Sequence, residues 1–363
     1  FATGMSNIKE FFAQLYAFPD VDAEPCSAGR SMNGHFGTRS IDEDGAWKNL
    51  MEMKNSSADI SPTAGQMPRL LGLALASKIY RNNENLNYLT DFSDKGNEVA
   101  FGTIGNASTS EGHFFETINA AGVLQVPMVI SVWDDAYGIS VHAKYQTTKE
   151  NISEILKGFQ RDANAPGYEI IVVNGWDYAA LCEAYERGTA IARKEHVPVL
   201  IHVKELTQPQ GHSTSGSHER YKSAERLEWE KNWDCIKKMR EWMLESGLAT
   251  ITELNSIEVE AKELVKDSKA AAWDKFISPI KKQVQEAVQV ISGLQVMSPA
   301  VQQIVAELTN NKEPLRRDVL KTLARVSEAA AGVKGIEKVT QFAAQLKNEA
   351  AGLFNTYLYN EGP

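Results

Sequence analysis

The apolar pattern predicts an α/β fold with a mostly parallel sheet flanked by helices, followed by a C-terminal helical extension. Two observations carry this. Between residues 98 and 203, short runs rich in Val and Ile alternate with helical stretches, the pattern of parallel strands joined by right-handed crossovers. After residue 224 those runs give way to charged, helix-spaced sequence.

Taken in order, residues 6–18 place Ile8, Phe11, Phe12, Leu15 and Tyr16 at helical spacing, with Ser6 or Asn7 as N-cap. Residues 19–60 are rich in turn formers; a long irregular stretch in a compact domain is usually functional or mobile. Ser61-Pro62-Thr63 enters a helix carrying Met67, Leu70, Leu71, Leu73, Ala74, Leu75 and Ile79, apolar on most sides and so expected to be buried. Strands are predicted at 98–104 (EVAFGTI), 127–132 (PMVISV), 170–173 (IIVV) and 197–203 (VPVLIHV), with helices at 112–124 and 178–194. Residues 207–223 are polar and loop-like. A charged helical region follows to about residue 290, including EKNWDCIKKMREWMLESG, which Gly247 closes. Further amphipathic helices occupy 292–352, punctuated by Pro299, Pro314, Gly332 and Gly335. One apolar stripe there is Leu315, Val319, Leu323 and Val326; a second is Val339, Phe342, Leu346 and Ala350. The expected division is an α/β domain over 1–230, its helical part over 231–290, and a helical linker over 291–363.

Composition narrows the function. The chain has 363 residues, 43% hydrophobic and 23% charged, with a formal charge of −9. That acidity argues against general nucleic-acid binding and gives no sign of membrane recruitment, and no apolar run approaches the roughly 20 residues that span a bilayer. Cys26, Cys182 and Cys235 are odd in number and far apart, so neither a disulfide framework nor a zinc cluster is indicated. A reducing, cytoplasmic setting is expected. The first residues, FATGMSN, lack an initiator Met, and with LYNEGP at the other end suggest a piece of something longer.

The chemistry concentrates between residues 102 and 140. Gly105-Asn106-Ala107-Ser108 is a small-residue turn between a strand and a helix, where backbone N–H groups can approach phosphate oxygens. Asn106 and Asp135 lie 29 positions apart, each just after an apolar run. In a doubly wound sheet both would sit at carboxyl ends of parallel strands, where ligands bind. Asp134 and Asp135 are adjacent carboxylates whose repulsion a divalent cation would relieve. Magnesium takes octahedral oxygen ligands and combines few protein groups with substrate phosphates. The Asn106 amide, the Asp135 carboxylate, a backbone carbonyl near Tyr137 and diphosphate oxygens would nearly fill that shell. The plain alternative is a solvated acidic turn.

GNASTSEGHFFETINAAGVLQVPMVISVWDDAYGIS resembles the thiamin-diphosphate motif. More closely it is similar to the α subunit of the decarboxylating component of 2-oxo acid dehydrogenase complexes. The likeness extends through SPTAGQMPRLLGLALASK before it and GHSTSGSHERY after it, over roughly residues 5–280. It implies a thiamin-diphosphate fold and binding of thiamin diphosphate and Mg2+. The implied metal ligands are Asn106, Asp135 and Tyr137. The implied cofactor contacts are Ser61, Thr63, Gly105, Asn106, Ala107, Ser108, Asp135, Tyr137, Ile139 and His212, with His212 as the catalytic residue that reaches the diphosphate. The family's acidic first ligand is Asn106 here and its amide second ligand is Asp135, an exchange that keeps the ligand charge constant. Gly65 stands where potassium-binding members place threonine, with Gln66 retained, and Trp133 stands where some members place arginine. His35 and His113 are lesser candidates for the rim, and His202 alternates within a strand as a packed or hydrogen-bonded residue.

The resemblance further implies that the carboxylate activating the cofactor comes from a β subunit, or a β half of one fused chain. It also implies a homodimer of αβ units, a lipoyl-bearing acyltransferase core and a small 2-oxo acid substrate. The expected reaction is oxidative decarboxylation of the 2-oxo acid with reductive acylation of a lipoyl group. Rival readings are a transketolase-like thiamin enzyme and a structural domain of the same fold that has lost the cofactor.

Overall fold

A computed structural model describes residues 1–31, 33–212 and 217–354. It divides into two compact units: Phe1–Lys48, Lys54–Ala58 and the chain from Glu258 onward form one, and Asn49–Met53 with Asp59–Ile257 the other.

The second unit holds the sheet. Its first helix is α2 (Met67–Asn82), since α1 (Ile8–Leu15) lies in the other unit. Then come β1 (Ala100–Gly105), α3 (Gly112–Leu124), β2 (Met128–Trp133) and a hairpin of β3 (Tyr137–Gly138) and β4 (Val141–His142). Short α4 (Ile152–Ile155), β5 (Glu169–Asn174), α5 (Tyr178–Glu195), β6 (Val199–Lys204), α6 (Ala224–Asn232) and α7 (Cys235–Glu245) complete the series. The four long strands are parallel in the order β1-β2-β6-β5. The predicted class, a parallel sheet between helices, is therefore the observed one.

Strand residues alternate between faces, and two cores result. On one face Ile104, Met128, Ile130, Val132 and Leu200 pack with Leu70 and Ala74 of α2 and Phe114, Ile118 and Ala121 of α3. On the other, Val129, Ile171, Val173, Ile201 and Val203 pack with Ala184 and Ala192 of α5. Strands β2 and β6 are buried on both sides, which is why their sequences read as continuous apolar runs. Because α3 links β1 to β2 across one face and α5 links β5 to β6 across the other, the winding reverses between β2 and β6. Their carboxyl ends form the crevice where such sheets take ligands.

The entry to α2 differs from the expected one. Residues 61–66 form turns and the helix begins at Met67, because Ala64 takes a left-handed φ of 58° that a helix cannot continue through. Gln66 Nε2 fastens this turn by donating to Asp59 Oδ1 at 2.8 Å and to the Ile60 carbonyl at 2.6 Å.

In the other unit, α1 (Ile8–Leu15) starts at a reciprocal cap: Glu10 N–H donates to Asn7 Oδ1 at 3.0 Å and Asn7 N–H to Glu10 Oε2 at 3.1 Å. One continuous helix, α8 (Ile251–Ser292), accounts for the later part of the charged helical region, running through Pro279, and the boundary between the units falls within it. It is followed by α9 (Pro299–Thr309), α10 (Arg316–Ala329) and α11 (Ile336–Leu353). The later part of α8 packs with these three around Ile280, Ile291, Val301, Ile304, Val319, Leu323, Val326, Val339 and Leu346, so both predicted stripes supply core. No helix among the described residues is long and apolar enough to cross a membrane.

Candidate functional site

Register brings the two oxygen-bearing residues to neighbouring strand ends. Gly105 pairs with Trp133, and the next residue, Asn106, donates its N–H to the Trp133 carbonyl at 3.0 Å. Asp134 and Asp135 follow Trp133 directly. Asp134 N–H donates to the Val203 carbonyl at 2.9 Å and its own carbonyl accepts from Leu206 N–H at 3.1 Å, so the acidic turn is sewn to the end of β6. It stands at the reversal point of the sheet.

Asn106 is 6% exposed and Asp135 8%. The Asn106 side chain takes no hydrogen bond from a described residue, while the Asn106 backbone carbonyl accepts from Thr109 Oγ1 at 2.6 Å. Among the described residues the N–H groups of Ala107 and Ser108 also have no acceptor, leaving two donors free in the small-residue turn. Asp135 Oδ1 accepts from Tyr137 N–H at 3.0 Å, while its second oxygen receives nothing from a described residue. Burial pushes the Asp135 carboxyl up from the ordinary range, against the Tyr137 N–H and the Lys222 and Arg226 charges, which act downward; Asp134 adds to the rise. A free carboxylate oxygen, a free amide and free N–H groups at adjoining strand ends suit a cation bridged to an oxyanion. No three His, Cys, Asp or Glu side chains among the described residues cluster tightly enough to hold a metal by themselves. A cation here would need amide, carbonyl and ligand oxygens, the donor set of magnesium rather than zinc.

Asp134 is differently engaged. Its Oδ2 lies 2.9 Å from His202 Nε2 and its Oδ1 accepts from Ala136 N–H at 2.8 Å. His202 has no exposed surface and its Nδ1 is 2.9 Å from Ser153 Oγ. The packed, hydrogen-bonded histidine expected from strand alternation is thus observed. The order Asp134–His202–Ser153 imitates a nucleophilic triad, but Ser153 is 6% exposed and also bonded to Asn151 Oδ1, so no substrate can approach it.

The hairpin beyond the turn was invisible in the sequence. Tyr137 pairs with His142 and Gly138 with Val141, leaving Ile139 and Ser140 as the two-residue loop. Ile139 is 58% exposed and has a φ of 58°, where hairpins ordinarily place glycine, so this β-branched residue is strained. Gly138 is required for another reason. A Cβ there would lie 2.6 Å from the Ala107 Cβ and collide with Gln146, so the hairpin rests directly on the phosphate-suited turn.

Sequence reasoning missed a buried ionic cluster behind the site. Lys222 Nζ bonds both oxygens of Glu230, at 2.7 and 2.9 Å, and Arg226 Nε reaches the same carboxylate at 2.8 Å. Glu230 is 1% exposed. Arg226 Nη2 donates to the Asp135 carbonyl at 2.9 Å, and both cations lie over the Tyr137 ring. The Tyr221 ring packs on Tyr137 at 5.8 Å.

Placed on this frame, Gly105, Asn106, Ala107, Ser108, Asp135, Tyr137 and Ile139 gather at the ends of β1 and β2. Ser61 and Thr63 lie exposed in the turn before α2. His212 is exposed in the loop after β6. The part of GHSTSGSHERY at residues 213–216 lies outside the described residues. His113 is exposed near the start of α3, and His35 belongs to the other unit.

Residues 29–281 match the family described as dehydrogenase E1 component. The chain is similar to the 2-oxoisovalerate dehydrogenase subunit alpha of Bacillus subtilis (strain 168), 29% identical over 227 residues covering 62% of this chain and 58% of that protein. It is 27% identical to the mitochondrial 2-oxoisovalerate dehydrogenase subunit alpha 1 of Arabidopsis thaliana, over 68% of this chain and 46% of that protein. It is also 26% identical to the pyruvate dehydrogenase E1 component subunit alpha of Rickettsia bellii (strain RML369-C), over 56% of this chain and 55% of that one. The chain therefore spans about half the length of these relatives. With the match covering most of its residues, the chain belongs to the dehydrogenase E1 component family.

Proposed function

We propose that this chain supplies the diphosphate and magnesium side of a thiamin-diphosphate site in a 2-oxo acid dehydrogenase. The enzyme would couple oxidative decarboxylation of a small 2-oxo acid to reductive acylation of a lipoyl group. The observation that carries this is the placement of Asn106 and Asp135 just beyond adjoining parallel strand ends in a chain of this family. Thiamin diphosphate, when bound, supplies the electron sink for loss of carbon dioxide. The chain's own residues bind and orient. The Asn106 amide, the free Asp135 oxygen and the Tyr137 carbonyl would hold the cation. The Gly105, Ala107 and Ser108 turn would meet phosphate oxygens, Ile139 would border the cofactor, and His212 would reach the diphosphate from its loop. Ser61 and Thr63 would lend backbone groups to the aminopyrimidine ring.

The partners in this reading are a β polypeptide or β half carrying the activating carboxylate, a second αβ unit, and a lipoyl-bearing acyltransferase core, in a bacterial cytoplasm. Residues 1–230 are the cofactor domain with 231–290 as its helical part, and 291–363 lead toward the β half. The test is turnover by the chain assembled with its β partner. Pyruvate, 2-oxoisovalerate and 2-oxoglutarate are each supplied with a lipoyl acceptor. Acylation of the lipoyl group from one of them supports the reading. Ketol transfer without lipoyl acylation would make it a transketolase-like enzyme, and no magnesium-dependent cofactor binding would make it a structural domain.

A further inference from the structure

Two adjacent carboxylates occupy the acidic turn, and they have separate fates. Asp134 is held inward: Oδ2 by His202 Nε2 at 2.9 Å, Oδ1 by Ala136 N–H at 2.8 Å. From His202 the hydrogen bonds continue through Ser153 Oγ at 2.9 Å to Asn151 Oδ1 at 2.8 Å, the oxygen that also caps α4 by accepting from Glu154 N–H. Asp135 is left with one unbonded oxygen among the described residues. Ala136, between this lock and Tyr137, has a φ of 67°, a left-handed conformation that an alanine adopts only when its surroundings impose it.

We infer that His202 is a positioning residue that selects which of the two carboxylates is available, by holding Asp134 against the sheet so that Asp135 alone presents a free oxygen at the strand ends. The metal role of Asp135 rests on the function proposed above; the selection itself does not. Without its buried donor the Asp134 carboxylate would be left nearly enclosed beside a like charge, a state that proteins avoid. It would rotate out, release the Ala136 N–H and let the left-handed residue relax, and the Tyr137 N–H that orients Asp135 would move with it.

Two isosteric variants of the full chain separate this from simple packing. In His202→Gln the amide nitrogen falls near the place of Nε2 and keeps the bond to Asp134. In His202→Asn it falls near Nδ1 and keeps only the bond to Ser153. Amide hydrogen exchange, read at Ala136 and Tyr137 with Ile130 and Ser131 as controls, needs no ligand. The Gln variant, which also gives up the Ser153 bond, should match the parent at the two controls and exchange at most about threefold faster at Ala136 and Tyr137. The Asn variant should exchange about tenfold faster at the first two only, the loss of one buried hydrogen bond. Equal behaviour of the two variants, or an unchanged turn in the Asn variant, would overturn the assignment. Ser153→Ala cuts the chain one bond further away and decides the matter if the Asn variant does not fold. It should raise exchange at the same amides about threefold, again from weakening one hydrogen bond, and no rise would reject the proposal. Magnesium titration in the presence of thiamin diphosphate then tests the consequence, with weaker binding expected for Asn and parent-like binding for Gln. If the parent itself binds no magnesium, the proposed function fails while the exchange result still decides the role of His202.

Discussion

Replacing Asp135 with asparagine should make the chain more stable when empty and less stable when loaded. In the empty protein the Asp135 carboxylate is nearly buried, its pKa raised mainly by that burial, and one oxygen goes unbonded. Asparagine keeps the shape and the acceptor for Tyr137 N–H but removes the desolvated charge. That is worth on the order of 1 kcal/mol, a melting rise of about 2–4 °C for a domain of this size. The sign of the pH dependence follows. A carboxyl whose folded pKa lies above its unfolded one binds more protons when folded, so stability falls as pH rises from the ordinary carboxylate range through the raised value. Asp135→Asn should flatten that decline. Loading reverses the order. At about a hundredfold over Kd, magnesium and thiamin diphosphate should stabilise the parent by about 2.7 kcal/mol, or roughly 5–10 °C, and the variant hardly at all. Thermal denaturation at neutral pH, with and without both ligands, reads the two effects together. A variant destabilised in both states would refute the reasoning, because Asp135 would then be a structural residue rather than one held ready for a cation.

Asp134→Ala should behave differently. It strands the enclosed His202 and should lower unfolding stability by about 1–3 kcal/mol, seen as a lower urea midpoint, with cofactor binding by the folded fraction less affected than in Asp135→Ala. An unchanged midpoint would contradict the buried pair. Gly138→Ala should push the β3–β4 hairpin off Ala107, costing about 1–3 kcal/mol and weakening magnesium-dependent binding; calorimetry checks both. Lys222→Met should destabilise by about 3–5 kcal/mol, because Glu230 is left buried with less compensation, and adding Glu230→Gln should restore much of it. Denaturant titration of the single and double variants tests that coupling, and additive losses would count against it.

The parallel sheet was legible because β2 and β6 are covered on both faces, which makes near-continuous Val and Ile runs a physical necessity rather than a propensity. The strand-end positions of Asn106 and Asp135 followed from those same runs. What the sequence could not reveal depended on contacts between distant segments. A two-residue strand such as Tyr137–Gly138 is too short to show periodicity, and Ile139 at its loop carries no glycine to announce a hairpin. Arg226 and Glu230 read as an ordinary charged helix, because buried and solvated ion pairs share the same i,i+4 spacing, and Lys222 reads as part of the polar loop before it. The choice between Asp134 and Asp135 came from family likeness. Only the fold shows that His202, 68 residues away, occupies the first of them. Helix α8 runs through Pro279, with Ile277 and Ile280 packed in the core on either side of it.

The most direct test is calorimetric titration of thiamin diphosphate into the chain assembled with the proposed β polypeptide, with magnesium and again with a chelator, for the parent and for Asp135→Ala. Saturable binding in the parent that requires magnesium and vanishes in the variant is the predicted result. Binding that survives the chelator or the loss of Asp135, or no binding by the parent at all, would contradict the assignment of Asn106 and Asp135 as the metal-bearing strand ends.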